Sequence, residues 1–222
     1  MCGRFAFYSP SEATAALFGA NSSTEVKPRY NIAPTQFIAT VRQDEQATAE
    51  LAMLRWGLVP FWAKDPSIGN RMINARAETV AEKPSFRNAY KKRRCLILAD
   101  GFYEWQKGAD GKTPYFISLA DGSPFAFAGL WEDWHSKESD ESLQTTAIIT
   151  TAANDFMATL HQRMPVVVRP EQAERWLDGD MELLGEVIDD APAFRAWPVD
   201  LKVNNARNEG ADLIDAAGET IS

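Results

Sequence analysis

Arg94-Cys95-Leu96-Ile97-Leu98-Ala99-Asp100-Gly101-Phe102-Tyr103-Glu104-Trp105 holds two strand-forming runs on either side of Asp100-Gly101. Cys95–Ala99 is a continuous apolar run bounded by charge, the pattern of a strand buried on both faces. After Asp100-Gly101 the chain resumes as a second strand. Period-two alternation puts Phe102 and Glu104 on one face of it and Tyr103 and Trp105 on the other.

Working outward, more runs rich in β-branched and aromatic residues lie between turn formers: Phe37–Val41, Glu50–Trp56, Tyr115–Leu119, Phe125–Trp131, Thr145–Thr150 and Pro165–Val168. Asp110-Gly111 and Asp121-Gly122 are hairpin-type turns. Helices are predicted from Pro10 to Phe18, from Pro84 or Ser85 to about Lys92, over Asp155–Leu160 with Asn154 as cap, over Glu171–Leu177, and over Glu209–Ala217. His135–Ser142 reads as a polar, mobile loop, and a short tail runs from about residue 218 to 222. No Gly/Ser-rich linker and no repeat divides the chain, so residues 1–222 are expected to form one α+β domain with a largely antiparallel sheet.

The 222 residues are 45% hydrophobic and 24% charged, an ordinary globular composition. No apolar run spans a bilayer and the N-terminus lacks signal-peptide character, so a cytoplasmic protein is expected. Two cysteines, Cys2 and Cys95, make no disulfide framework and are expected as free thiols. Net charge is −8, but ten basic residues against three acidic ones between Arg55 and Cys95 leave +7 there and −15 elsewhere. A local basic face on an acidic body suits an anionic ligand held at one place. The run Lys91–Arg94 fits a solvated helix end equally well. No metal-ligand spacing and no phosphate-binding glycine loop is present, so neither metal nor cofactor is expected.

Four groups of residues can carry chemistry. Cys2 becomes N-terminal once Met1 is removed. Its α-amine and thiol, on adjacent carbons, then titrate near 8 and 8.5. An aldehyde can form an imine with the amine, and the thiol can close a five-membered thiazolidine. A retained Met1 would block the amine. From Met-Cys-Gly alone, an ordinary residue near a frayed terminus is an equal reading. In Asn74-Ala75-Arg76, Asn74 and Arg76 could share one face of an extended segment, Arg76 suiting a phosphate and Asn74 an amine or carbonyl; on these residues alone a structural Asn in a loop is the commoner case. Glu104, beside aromatics at the end of a core strand, could be desolvated and act as acid or base, but on the residues alone a surface Glu on a half-exposed strand is the stronger reading. His161, in His161-Gln162-Arg163-Met164-Pro165, lies where a helix ends and a strand begins.

Taken in order, these segments resemble the SOS response-associated peptidase (SRAP) family. The match includes Met1–Phe5, Pro28–Thr35, Arg55–Pro60, Trp62–Asp65, Ile73–Val80, Arg94–Trp105, His161–Val168 and Val203–Glu209. Leu98 departs from it, where many relatives carry Pro. The chain also lacks the long C-terminal extension of eukaryotic members and looks like a compact bacterial-type one.

The resemblance implies a barrel-like β core with short helices. It implies covalent capture of abasic sites in single-stranded DNA as a thiazolidine at Cys2, together with removal of Met1. Asn74 would orient the Cys2 amine, Glu104 would shuttle protons and help release Met1, and His161 would assist sugar-ring opening. Arg4, Arg76 and Arg163 would hold phosphates, Thr150 would contact the backbone, and Trp56 and Trp62 would pack against DNA or wedge its duplex part; for at least one of the two tryptophans a plain core aromatic is the stronger reading. A monomer, nucleoid-associated when bound and without sequence preference, is expected. The residues by themselves leave open an amidohydrolase of the class II glutamine amidotransferase kind or a trans-acting cysteine peptidase.

Overall fold

Arg94–Ala99 is a strand buried along its whole length, and a ring of strands is built around it. The computed structural model describes residues 2–21, 25–108, 111–136 and 138–222. In chain order its strands are β1 (Phe5–Phe7), β2 (Arg29–Ile32), β3 (Phe37–Gln43), β4 (Ala49–Trp56), β5 (Asn74–Arg76), β6 (Arg94–Ala99), β7 (Gly101–Gly108), β8 (Gly111–Leu119), β9 (Phe125–His135), β10 (Ser142–Ala152), β11 (Arg163–Pro165), β12 (Val167–Val168) and β13 (Phe194–Pro198). Its helices are α1 (Ser11–Leu17), α2 (Arg87–Lys92), α3 (Asp155–Ala158), α4 (Ala173–Leu177) and α5 (Leu183–Asp189).

Strands β10, β4, β3, β6 and β9 pair in that order, and β9 pairs back onto β10. The ring is a five-stranded barrel, which leaves none of its own edges open. A second sheet, ordered β13-β8-β7-β1-β2, lies against it. The two share one core. Phe5 of the second sheet packs edge-on to Trp56 and Phe127 of the barrel at 5.3 and 5.7 Å between ring centroids. The fold is α+β with a barrel core and short helices.

The longest strands end differently from how they begin, and this makes the site. Along its first half β10 runs parallel to β4 (Thr145 opposite Arg55) and antiparallel to β9. Past Ile148 its neighbours change. On one side β5 replaces β4, with Thr150 opposite Arg76; on the other β11 replaces β9, with Ala152 opposite Arg163.

The chain leaves β4 at Gly57, which has φ +125° and donates its N–H to Thr146 O at 2.8 Å. It returns through a 3-10 turn over Pro66–Arg71. Gly57 and Gly69 pack back to back there: a Cβ on either would meet the other's carbonyl oxygen at 2.5 Å.

Several local expectations need correction. Glu209–Ala217 is not a helix; only a 3-10 turn over Ala211–Ile214 forms. The segment offers only the adjacent pair Leu213 and Ile214 to the interior, so no apolar stripe at helical spacing exists to hold a longer helix. The polar loop is shorter than expected, because β9 extends to His135 and β10 begins at Ser142. Asp110 of the predicted hairpin turn lies outside the described residues. Arg93 and Arg94 are not free basic surface. Arg93 pairs with buried Glu132, while Arg94 is buried and lies over the rings of Tyr90 and Trp176.

Candidate active site at Cys2

β1 pairs antiparallel with β7, with Phe5 opposite Phe102 and Ala6 opposite Gly101. Extending that register sets residue 3 across from Glu104, with the Tyr103 N–H donating to Arg4 O at 2.9 Å. Cys2 is therefore carried to Glu104 by strand pairing. It is fully buried. From the barrel side, Asn74 on β5 donates its Nδ2 to Cys2 O at 2.8 Å, while its own Oδ1 is buried without an acceptor's partner. An unmatched buried amide oxygen is costly unless a donor arrives. The α-amine of a freed Cys2 is such a donor. Asn74 thus grips the Cys2 carbonyl, one of the two partners, amine or carbonyl, that its residue type suits.

Burial sets the protonation of this pair. It raises the Glu104 carboxyl to about 7, so acid and base forms coexist near neutrality. It raises the Cys2 thiol well above the ordinary thiol range, and the neighbouring Glu104 charge raises it further. Cys2 is thus a thiol, not a thiolate, and needs a base to take its proton. Glu104 suits that task.

His161 follows α3, whose cap Asn154 accepts from Met157 N at 2.9 Å. The Arg163 backbone N–H donates to His161 Nδ1 at 3.0 Å. A neutral imidazole here carries its proton on Nε2. Burial lowers the His161 pKa, which favours that neutral form.

The cationic residues divide. Arg76 is exposed at the end of β5. Arg4 is half-buried: its Nη1 donates to Asn31 Oδ1 at 2.6 Å and to Val203 O at 2.8 Å, and its guanidinium lies 5.8 Å from the Trp105 ring centroid. Arg163 forks onto Glu78 at 2.7 and 3.0 Å and also donates to Thr150 O at 2.7 Å. Thr150 is fully buried and accepts from Arg163 through Oγ1 at 3.3 Å, so it braces that arginine and has no surface for a DNA backbone. Trp56 is likewise corrected. It is fully buried, edge-on to Phe5, with Nε1 donating to Ile73 O, and is a core residue. Trp62 is 43% exposed beside Phe61 at 53%.

Asn31 carries a part in the site that the residue patterns did not single out. Buried on β2, it accepts from Arg4 and donates to the carbonyls of Val203, Asn205 and Asn208, while Trp105 Nε1 donates to Asn204 Oδ1. A lone Asn in Arg29-Tyr30-Asn31-Ile32 becomes conspicuous only once its strand is known to be buried, because buried amides demand partners.

A barrel-cored fold that brings a near-terminal cysteine under a buried carboxyl and an asparagine defines a class of protein. A crystal structure of a protein from Bacteroides thetaiotaomicron has this fold: TM-score 0.86 at 24% identity, covering 97% of this chain and 100% of the other. The chain belongs to the SOS response associated peptidase (SRAP) family, whose model matches residues 1–206. It is 42% identical to the abasic site processing protein YoqW of Bacillus subtilis (97% of this chain, 100% of the relative). It is 33% identical to the abasic site processing protein YedK of Escherichia coli (96% and 99%). Among the described residues no helix is long and apolar enough to cross a membrane.

Proposed function

We propose that the chain, freed of Met1, captures abasic sites in single-stranded DNA as a thiazolidine at Cys2 and so shields the lesion. The juxtaposition of Cys2, Asn74 and Glu104 carries the reading, and the printed names of the relatives agree with it.

The Cys2 amine adds to the sugar aldehyde, and the carbinolamine loses its hydroxyl as water to give an imine. Protonated Glu104 supplies the proton for that departure. The carboxylate so formed takes the thiol proton. The departure of water leaves the imine protonated on nitrogen; sulfur then adds to its carbon, the π electron pair returns to nitrogen, and nitrogen keeps its proton to complete the ring. One group thus serves as acid and then base, as a carboxyl near 7 allows. Asn74 fixes the terminus, so ring closure is effectively unimolecular. His161, neutral with hydrogen on Nε2, assists opening of the sugar hemiacetal. The same carboxyl assists release of Met1. On this reading the protein acts as a monomer in the cytoplasm, on nucleoid DNA exposed during the response to damage.

Mixing processed protein with a uracil-excised single-stranded oligonucleotide should give a heat-stable shifted band on a denaturing gel. Its absence would end the proposal.

A further inference from the structure

The arginines expected to meet phosphate are not equivalent. Arg76 is exposed, whereas the fork of Arg163 is already filled by both carboxylate oxygens of Glu78. The inner Nη2 of Arg163 is anchored to Thr150 O, and its Nε is buried. Only the edge that Glu78 covers faces outward. The Arg163 side chain is 17% exposed and that of Glu78 is 48% exposed. Glu78 stands on the 3-10 turn over Ala77–Thr79, two residues beyond Arg76. Its bond to Arg163 holds its carboxyl below the usual range, and the Arg76 charge adds to this, so it is ionised at neutral pH.

We infer that Glu78 is a built-in competitor for the phosphate at Arg163, a specificity-determining residue that loosens the protein's hold on undamaged strand. The inference rests on the reading that single-stranded DNA is the substrate. A guanidinium fork fits carboxylate and phosphate by the same bidentate geometry, so the two anions exclude each other. A half-exposed carboxylate on a short turn can swing into water, and such surface pairs are weak. The Thr150 carbonyl still holds Arg163 when Glu78 leaves. With Glu78 present the locus carries no net charge, so a phosphate there gains little. Non-covalent residence on intact strand is shortened, and discrimination falls to the covalent step at Cys2.

The test is fluorescence anisotropy of a labelled undamaged oligonucleotide over a salt series. The proteins are the processed wild type, Glu78→Gln, Arg163→Gln and the double variant. Gln keeps the shape of Glu78 and one acceptor for Arg163. Glu78→Gln should bind about three- to tenfold tighter at low salt. The slope of log affinity against log salt should steepen by about 0.7, one further phosphate on single-stranded DNA. The gain should vanish in the Arg163→Gln background. Unchanged or weaker binding would make Glu78 a prop for Arg163 and overturn the inference, as would a gain that survives loss of Arg163. Denaturing gels with the abasic oligonucleotide, run on the wild type, separately decide the covalent reading.

Discussion

An N-terminal cysteine holds two nucleophiles on adjacent carbons, but position in the chain does not make a thiol reactive. Cys95 shows the contrast. It is equally buried, its thiol is pushed up to about 12 by that burial, and its sulfur lies 3.3 Å from the Thr146 hydroxyl. Among the described residues no carboxylate or imidazole bonds to that sulfur, and it packs as a core group. Cys2 has Glu104. Cys2→Ser should therefore give no heat-stable band with abasic DNA, while borohydride reduction still traps the imine made by the amine; a heat-stable band from this variant would contradict the ring.

Glu104 also leaves a mark on stability. Its folded pKa of about 7 lies above the ordinary carboxyl value of 4.5. Between those values the folded chain keeps a proton that the unfolded chain has released, so stability falls as pH rises through that window. Above it, ionised buried Glu104 costs on the order of 3 kcal/mol. Glu104→Gln should therefore melt above the wild type at about pH 8 and level with it at about pH 4, while crosslinking is lost. Equal melting curves at the higher pH would remove the buried charge from the account.

At the scale of elements, the site depends on two replacements along β10, from β4 to β5 and from β9 to β11. The first turns on Gly57. Gly57→Ala would place a methyl 2.5 Å from Gly69 O at a φ of +125°, and should cost about 2–4 kcal/mol in urea denaturation. Because Leu58 N donates to Met72 O across the same excursion, crosslinking should fall with it. A neutral substitution would show that the turn is slack.

These elements also mark what the residues disclosed and what they withheld. Of the barrel strands, β3, β9 and β10 were legible as runs rich in β-branched or aromatic residues and β6 as a continuous apolar run, and α1 was legible from Pro10 and Gly19. β1 was not: Phe5-Ala6-Phe7 is three residues long and buried throughout, so it has no alternation to read. β13 hides behind Arg195 and a closing Pro198, and α5 behind an acidic flank. At the site, the alternation of Phe102–Trp105 correctly faced Glu104 away from Tyr103. Thr150 and Trp56 could not be sorted from surface contacts, because burial of a lone Thr or Trp is set by neighbours far away in the chain.

Across the whole molecule, charge is partitioned: +7 between Arg55 and Cys95 against −15 elsewhere, within a net −8. Arg93 and Arg94 are spent internally, so the outward share of that excess rests on fewer residues, Arg76 among them. Raising salt from about 50 to 200 mM should slow encounter with single-stranded DNA severalfold and leave a formed crosslink intact. Arg76→Ala should weaken binding and flatten the salt slope by about 0.7; unchanged anisotropy at low salt would exclude it from the interface.

The position of β1 has a mechanical consequence. It lies inside its sheet, flanked by β7 and β2, and Cys2 is the end of the same ribbon. A polynucleotide fastened to Cys2 and tugged by passing machinery would pull β1 along its own length. Its hydrogen bonds to both neighbours would then be strained in shear, all together, and not peeled one by one. The anchor would hold hardest against a pull along β1.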